Sequence, residues 1–433
     1  MKFYSTNGVA PLVEFKDAIL TGLPPDNGLY MPQKFGTLDK SIFAIKDFPT
    51  MAFEAAKVLL DGAIPDADLR KIIDKCYNFD VPVVNVHDNV NVLELYHGPT
   101  CAFKDFGARF MANTMSYFLR SGNRKVNILV ATSGDTGSAV ANGFYNVDNI
   151  NVVILYPSGK VSNLQEKQLT TLGGNITAFE IDGTFDDCQK IVKTAFLDAQ
   201  LSGEFNLSSA NSINIGRLYP QSFYYIWAYN RLAGTSGSEV VFCTPSGNFG
   251  NLTAGLIAKR MGLPVKKFIA ATNVNDVVPE YLFTGTYTPR PSQRTLSNAM
   301  DVGAPSNFMR MTDMYKTVDA MRADIVGYKV TDDETRATIH DVYERCDYML
   351  DPHGAVGYNA VMKYISDTGE ADPIIMLETA HPAKFGEIIT DTLGIAPTIP
   401  PQLQACLQKD KVSVKCSKDY DEFKGKVREY LIR

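Results

Sequence analysis

His97-Gly98-Pro99-Thr100-Cys101-Ala102-Phe103-Lys104-Asp105-Phe106-Gly107-Ala108-Arg109 reads as a tight turn running straight into a helix, with one lysine between two phenylalanines. Gly98 and Pro99 set the turn, and Thr100 is placed to cap the helix. From Lys104 to Arg120, Phe106, Phe110, Met111, Met115, Phe118 and Leu119 recur at helical spacing, and Ser121-Gly122-Asn123 closes the pattern. Lys104 therefore falls in the first turn, near the positive end of the helix dipole and beside aromatic rings. Both surroundings disfavour an ammonium. A lysine that is neutral part of the time is what imine chemistry on an aldehyde requires. The plain alternative is a solvated surface lysine, the usual fate of this residue.

Working outward, the chain from residue 85 onward alternates strands and helices. Lys125–Ala131 is a buried-strand run, followed by Thr132-Ser133-Gly134-Asp135-Thr136-Gly137 and a helix to about Tyr145. Asn151–Tyr156 is the next strand, succeeded by Pro157-Ser158-Gly159-Lys160 and a helix from Ser162 to Leu172. Asn175–Ile181 and then Phe185–Ala199 repeat the unit. After Asn214, a long helix is expected over Gly216–Ala233, and its aromatic stripe of Tyr219, Phe223, Tyr224 and Trp227 reads as core. Glu239–Thr244, Lys266–Thr272 and Pro373–Glu378 are further strands, and Val412–Arg433 reads as a short strand and a helix. This alternation predicts an α/β fold with mostly parallel sheets and right-handed crossovers. Ligands then bind beyond the carboxyl ends of strands. The earlier residues, with helices at Met51–Asp61 and Asp66–Tyr77, carry no obvious chemistry and read as a packing lobe.

With 433 residues, two or three lobes are expected. We divide the chain into an N-terminal lobe (1–84), a large domain (85–124 with 205–433) and a smaller nested α/β domain (125–204). The net charge of −6 argues against nucleic acid or an anionic membrane as the main partner. Seven scattered cysteines form no C-x-x-C pair, so neither a disulfide framework nor a metal site is signalled. The beginning of the chain has no apolar run of signal-peptide length and no transmembrane-length stretch comes after it, so a cytoplasmic protein is expected.

Three loops carry chemistry by residue type and place. Gly247-Asn248-Phe249-Gly250-Asn251 lies between a strand and a helix start, where backbone N–H groups suit a phosphate. It has neither Walker A nor G-x-G-x-x-G spacing, and alone it is equally a structural turn. Ser133-Gly134-Asp135-Thr136-Gly137-Ser138 suits a carboxylate at a helix start, or is simply a helix capped by Asp135 or Thr136. Thr379 ends a central strand with a hydroxyl able to meet a heterocyclic nitrogen. Together these features match the aldehyde, phosphate and ring nitrogen of pyridoxal phosphate.

The blocks His97-Gly98-Pro99-Thr100, Phe103-Lys104-Asp105, Thr132–Gly137, Ser246–Asn251 and Thr379-Ala380-His381-Pro382-Ala383-Lys384-Phe385 resemble, in this order, those of threonine synthases. These are fold-type-II pyridoxal-phosphate enzymes, related to the tryptophan synthase β fold. The resemblance is to the bacterial and fungal subgroup and spans nearly the whole chain. It implies conversion of O-phospho-L-homoserine and water to L-threonine and phosphate, by γ-elimination and then addition of water at Cβ. It implies Lys104 as the catalytic lysine joined to pyridoxal phosphate, Gly247, Asn248, Phe249, Gly250 and Asn251 around the cofactor phosphate, and Thr379 facing the pyridine nitrogen. Ser133, Asp135 and Thr136 fall at the substrate, with Ser133 and Thr136 on its carboxylate. Ser158, Lys160 and Arg217 are candidates for its phosphate. Many fold-type-II enzymes have asparagine where this chain has Asp135, and a carboxylate there repels the cofactor's phenolate oxygen, a role that Asn251 is placed to take. His381 and Lys384 are possible helpers, and His97 is expected to shape the turn. A monomer or homodimer is expected, and activation by S-adenosylmethionine is not, because the plant-type N-terminal extension is missing. Two other readings stay open: a serine or threonine dehydratase using the same lysine, and a silent homologue that binds without catalysis.

Overall fold

The computed structural model describes residues 1–120, 122 and 125–431. Its strands are β1 (Lys2–Ser5), β2 (Val13–Glu14), β3 (Tyr30–Pro32), β4 (Val83–His87), β5 (Val90–Glu94), β6 (Val126–Ala131) and β7 (Ile150–Pro157). They continue with β8 (Ile176–Asp182), β9 (Leu207–Ser208), β10 (Val240–Pro245), β11 (Val265–Thr272), β12 (Ile325–Lys329), β13 (Ile374–Glu378) and β14 (Val414–Ser417). Ser121 and Asn123, expected to close the Lys104 helix, lie outside the described residues.

The N-terminal lobe holds a small antiparallel sheet in the order β2-β1-β3. Helix Phe48–Leu60 begins where Asp47 accepts the N–H of Thr50, as an N-cap aspartate does. Together with helix Asp66–Cys76 it buries its apolar face against the rest of the molecule. The Phe48 ring meets those of Tyr77, Phe106 and Trp227 at 5.3, 5.6 and 5.8 Å, all edge-on. Trp227 Nε1 donates to the Val81 carbonyl at 2.7 Å, joining this lobe to the main body.

The larger sheet has the order β12-β11-β10-β13-β5-β4, parallel throughout except for β4 at one edge. Its strands β10, β13 and β5 are buried along their whole length because helices cover both faces. Since β10, β13 and β5 are adjacent and parallel, the loops after Pro245, Glu378 and Glu94 all leave the same edge. The second sheet, β14-β8-β7-β6-β9, is wholly parallel.

Two sequence expectations change here. The tail is expected in the large domain, yet β14 pairs with β8, and Phe423 and Val427 of helix Tyr420–Val427 bury in the core of the smaller sheet. Alternating hydrophobicity marks a strand but does not say which sheet edge receives it. The expected helix over Gly216–Ala233 is broken into Ile215–Leu218 and Gln221–Leu232. Pro220 has no N–H to continue the ladder and becomes the N-cap of the second piece. The aromatic stripe is core, as expected: Tyr219, Phe223, Tyr224 and Trp227 are all buried.

Candidate active site

Lys104 is the first residue of helix Lys104–Leu119. The turn before it is zipped to the chain leaving β13: Phe103 N–H donates to the Thr379 carbonyl at 2.9 Å, Ala102 bridges Ala380, and His381 N–H donates to the Cys101 carbonyl at 3.1 Å. Lys104 and Thr379 are thus held side by side although 275 positions separate them in sequence. Thr100 does not cap the helix, whose N-cap is Phe103. Its N–H and hydroxyl instead donate to the two oxygens of Asp105, at 2.8 and 2.7 Å. Burial pushes the Asp105 carboxyl up to about 6 in spite of those donors.

Across from Lys104 lies the loop after β6. Thr132 Oγ1 accepts the N–H groups of Gly134 and Gly137 at 3.0 and 2.9 Å and folds the chain into a sharp turn. Gly134 has φ 148°, and a Cβ there would lie 2.6 Å from the Gln165 side chain, so only glycine fits. Helix Asp135–Phe144 starts without a side-chain cap, so the cap expected of Asp135 or Thr136 is not made. Its ladder begins with Ser138 N–H to the Gly134 carbonyl. The N–H groups of Asp135 and Thr136, preceding that bond, have no intrahelical acceptor and point out of the helix start, beside the half-buried Ser133 and Thr136.

Asp135 turns its carboxylate towards two lysines. Oδ2 is 3.6 Å from Lys104 Nζ, while Oδ1 is 2.7 Å from Lys384 Nζ and accepts from Gln165 Nε2 at 2.9 Å. Burial works against the charge, but Lys384 first and Lys104 after it prevail and hold the carboxyl well below its usual range. For Lys104 the balance runs the other way. Burial lowers its pKa, and Lys384 and Arg217 add to this against the pull of Asp135. Lys104 Nζ also lies 5.6 Å from the centre of the Phe103 ring. Arg217 is buried, with Nη1 donating to the Ala210 carbonyl at 2.7 Å and Nε without a partner. Burial lowers it to about 10.

The third wall is the loop after β10. Asn248 braces it, donating to Ser212 Oγ and accepting Ser306 N–H, each at 2.6 Å. Phe249 adopts the left-handed conformation with φ 59° and leads into helix Gly250–Arg260. The first ladder bond is Thr253 N–H to the Phe249 carbonyl, which leaves the N–H groups of Gly250, Asn251 and Leu252 without intrahelical acceptors. A Cβ on Gly247 would sit 2.6 Å from the Ala299 carbonyl. Asn251 Oδ1 accepts from the Tyr224 and Tyr225 hydroxyls at 2.6 and 2.9 Å, while its buried Nδ2 has no partner. A phosphate-bearing group fits these residues: free N–H groups at a helix start and an unsatisfied amide donor.

Ser158 and Lys160 follow β7, which lies beside β6 and parallel to it; Ser158 donates to Glu180 at 2.7 Å, and Lys160 is exposed. His97 pairs with Glu94 at 2.7 Å rather than with Lys104. His381 Nδ1 accepts the Ala383 N–H at 3.1 Å, and burial lowers the ring to about 4.

The threonine synthase N-terminal family matches residues 2–77, the pyridoxal-phosphate dependent enzyme family residues 85–379, and the threonine synthase C-terminal family residues 354–427. The threonine synthase of Haemophilus influenzae is 42% identical over the full length of both chains. That of Escherichia coli is 44% identical over 93% of this chain and 94% of that protein. The chain belongs to the threonine synthase family. The crystal structure of pyridoxal-phosphate-bound threonine synthase from Brucella melitensis superimposes with a TM-score of 0.95, at 36% identity and complete coverage of both chains. The fold is therefore that of fold-type-II pyridoxal-phosphate enzymes, and pyridoxal phosphate is the family's cofactor. Gln165 and Gln168 carry no sequence signal: each is a polar residue in a short helix, and Gln168 Nε2 reaches back to the Thr100 carbonyl at 3.2 Å. Lys384 reads in the sequence only as a possible helper, because a lysine beside a strand end looks solvated.

Proposed function

We propose that the chain converts O-phospho-L-homoserine and water to L-threonine and phosphate, with Lys104 as its catalytic residue. The observation that carries this is the Lys104 amine, only 13% exposed, held beside the end of β13 and 3.6 Å from Asp135 at a helix start with unpaired donors. Pyridoxal phosphate, when bound, supplies the conjugated electron sink that makes the substrate's Cα proton removable. The N–H groups of the Gly247–Asn251 loop and the Asn251 amide would hold the cofactor phosphate. The Thr379 hydroxyl would serve the ring nitrogen; being neutral, it would leave the ring a milder sink than a carboxylate partner. Lys104 Nζ takes the proton from Cα and later returns it there, a task suited to an amine whose pKa is lowered. Ser133, Thr136 and the N–H groups of the Asp135 helix start hold the substrate carboxylate. Arg217, with a free Nε and a charge buried near Lys104, is the donor for the departing phosphate.

Among the described residues no helix is long and apolar enough to cross a membrane. With every cysteine free, we take the chain to act in the cytoplasm as a monomer or homodimer. The test is phosphate release and threonine formation from O-phospho-L-homoserine, run beside keto-acid release from serine. We expect the first and not the second, and at least about a 100-fold loss in Lys104→Ala. Keto acid without phosphate release would make the chain a dehydratase instead.

A further inference from the structure

We propose that Lys384 is a positioning residue that occupies the Asp135 carboxylate, so that the Lys104 amine keeps only that group's far oxygen and faces the cofactor as a nucleophile. The inference rests on Lys104 being the residue that joins the cofactor.

Lys384 is delivered by the turn Pro382–Phe385, which comes after β13 and is started by His381 accepting the Ala383 N–H. Its side chain is 0% exposed. Nζ donates to Asp135 Oδ1 at 2.7 Å and to the Thr100 carbonyl at 2.9 Å, so two of its three protons are placed. Lys104 has one acceptor at 3.6 Å, beyond hydrogen-bond length, and one aromatic ring. Oδ1 is already shared with Gln165, so Lys104 has no route to the better-placed oxygen.

The charge balance turns this geometry into chemistry. Lys104, Lys384 and Arg217 are three cations served by two carboxylates, Asp135 and Asp105, and Asp105 faces Arg217 and already accepts from Thr100. Buried charge without a partner is costly, so one proton is given up. It leaves the group with the poorest contacts, and that group is Lys104. The other titratable groups facing Lys384 are Asp105, Cys101, Cys406 and His381. Burial pushes both thiols up and the imidazole down, so these stay neutral, while the Asp105 carboxylate has both oxygens engaged by Thr100, which leaves Asp135 as the counter-charge that Lys384 holds. An Asp135 already neutralised by Lys384 also repels the cofactor's phenolate oxygen far less than a free carboxylate would.

The test reads Lys104 chemistry directly, in the full-length chain before cofactor is added. Amine-directed acetylation across a pH series, with Lys104 monitored by peptide mass spectrometry, gives the pH midpoint of its reactivity. In Lys384→Gln the freed carboxylate turns to Lys104, and labelling at neutral pH falls about 10-fold or more. Lys384→Arg retains the wild-type midpoint. Asp135→Asn moves the midpoint the opposite way, to lower pH, as loss of the counter-charge itself requires; the rise in midpoint in Lys384→Gln is the readout that a merely structural role for Lys384 would not produce. A wild-type Lys104 profile in a folded Lys384→Gln overturns the proposal; should that variant not fold, an unmoved midpoint in Asp135→Asn does so. In parallel, pyridoxal phosphate added to the wild type is fixed with borohydride and mapped. Attachment at Lys104 with unshifted profiles defeats the role of Lys384 alone, whereas attachment at another lysine defeats the reading of Lys104 itself.

Discussion

Arg217 sits 2% exposed behind Lys104, with Nη1 tied to a backbone carbonyl and Nε left over. A buried guanidinium with an unused donor is tolerable only where something anionic arrives. Replacing it by glutamine is expected to lower kcat/KM for the phosphorylated substrate by at least roughly 10-fold, mainly through KM, while cofactor attachment at Lys104 persists. Steady-state kinetics beside borohydride trapping checks this. His381 gives a pH dependence of defined sign. Its ring is held down to about 4 by burial and by His97 nearby, against about 6.5 in an unfolded chain. The unfolded chain therefore takes the proton first, so this group's contribution is complete above about 6.5 and is lost as the pH falls towards 4. Melting curves at pH 7 and 4.5 should show a larger drop for the wild type than for His381→Asn, whose amide oxygen replaces the Nδ1 acceptor. Lys104, Thr379 and the 247–251 loop are legible in the sequence because each stands where a strand pattern gives way to a turn. Lys384 and Gln165 are not, since their roles come from partners 249 and 30 positions away and nothing local distinguishes them from solvated residues. Ser158 and Lys160 share the strand-end signal, and the Ser158 hydroxyl is spent on Glu180.

Helix Gln221–Leu232 shows how core and site share an element. Its aromatic periodicity identifies the buried face, but periodicity is blind to what a tyrosine hydroxyl does at the tip of an otherwise apolar ring. The hydroxyls of Tyr224 and Tyr225 both donate to Asn251 Oδ1, which fixes the amide so that Nδ2 faces away from them. The double change Tyr224→Phe with Tyr225→Phe is expected to weaken cofactor binding by roughly 30-fold, at about 1 kcal/mol for each hydroxyl lost, with the fold intact. Titration with pyridoxal phosphate, read by absorbance, gives the affinity, and an unchanged value would sever the link from helix to loop. The break at Pro220 is written in the sequence but masked by the continuing stripe. Tyr219 retains helical geometry on both sides of the break, so the spacing carries on while the hydrogen-bond ladder does not.

Over the whole molecule, the N-terminal lobe and the main body share one apolar core, tied further by polar links such as Arg310 donating to the Tyr30 carbonyl. Phe48 inserts among Tyr77, Phe106 and Trp227, so Phe48→Ala should cost about 3–5 kcal/mol as a large core truncation. Trp227 is the chain's single tryptophan and lies beside the change, so its fluorescence during urea unfolding reports the loss as a lower midpoint. The α/β class and the order of the loops are readable because alternation is a local property repeated many times. The sheet that receives β14 is not, because strand pairing across the chain leaves no mark on the strand itself. That pairing sets an order of events during synthesis. β8 emerges from the ribosome roughly 230 residues before β14, which at ordinary translation rates is an interval on the order of 10–50 s. Throughout that time the backbone of β8 presents an open row of donors and acceptors to any other nascent chain. The smaller sheet is therefore sealed against its neighbours only by the last strand to be made, and chaperone demand should centre on that interval.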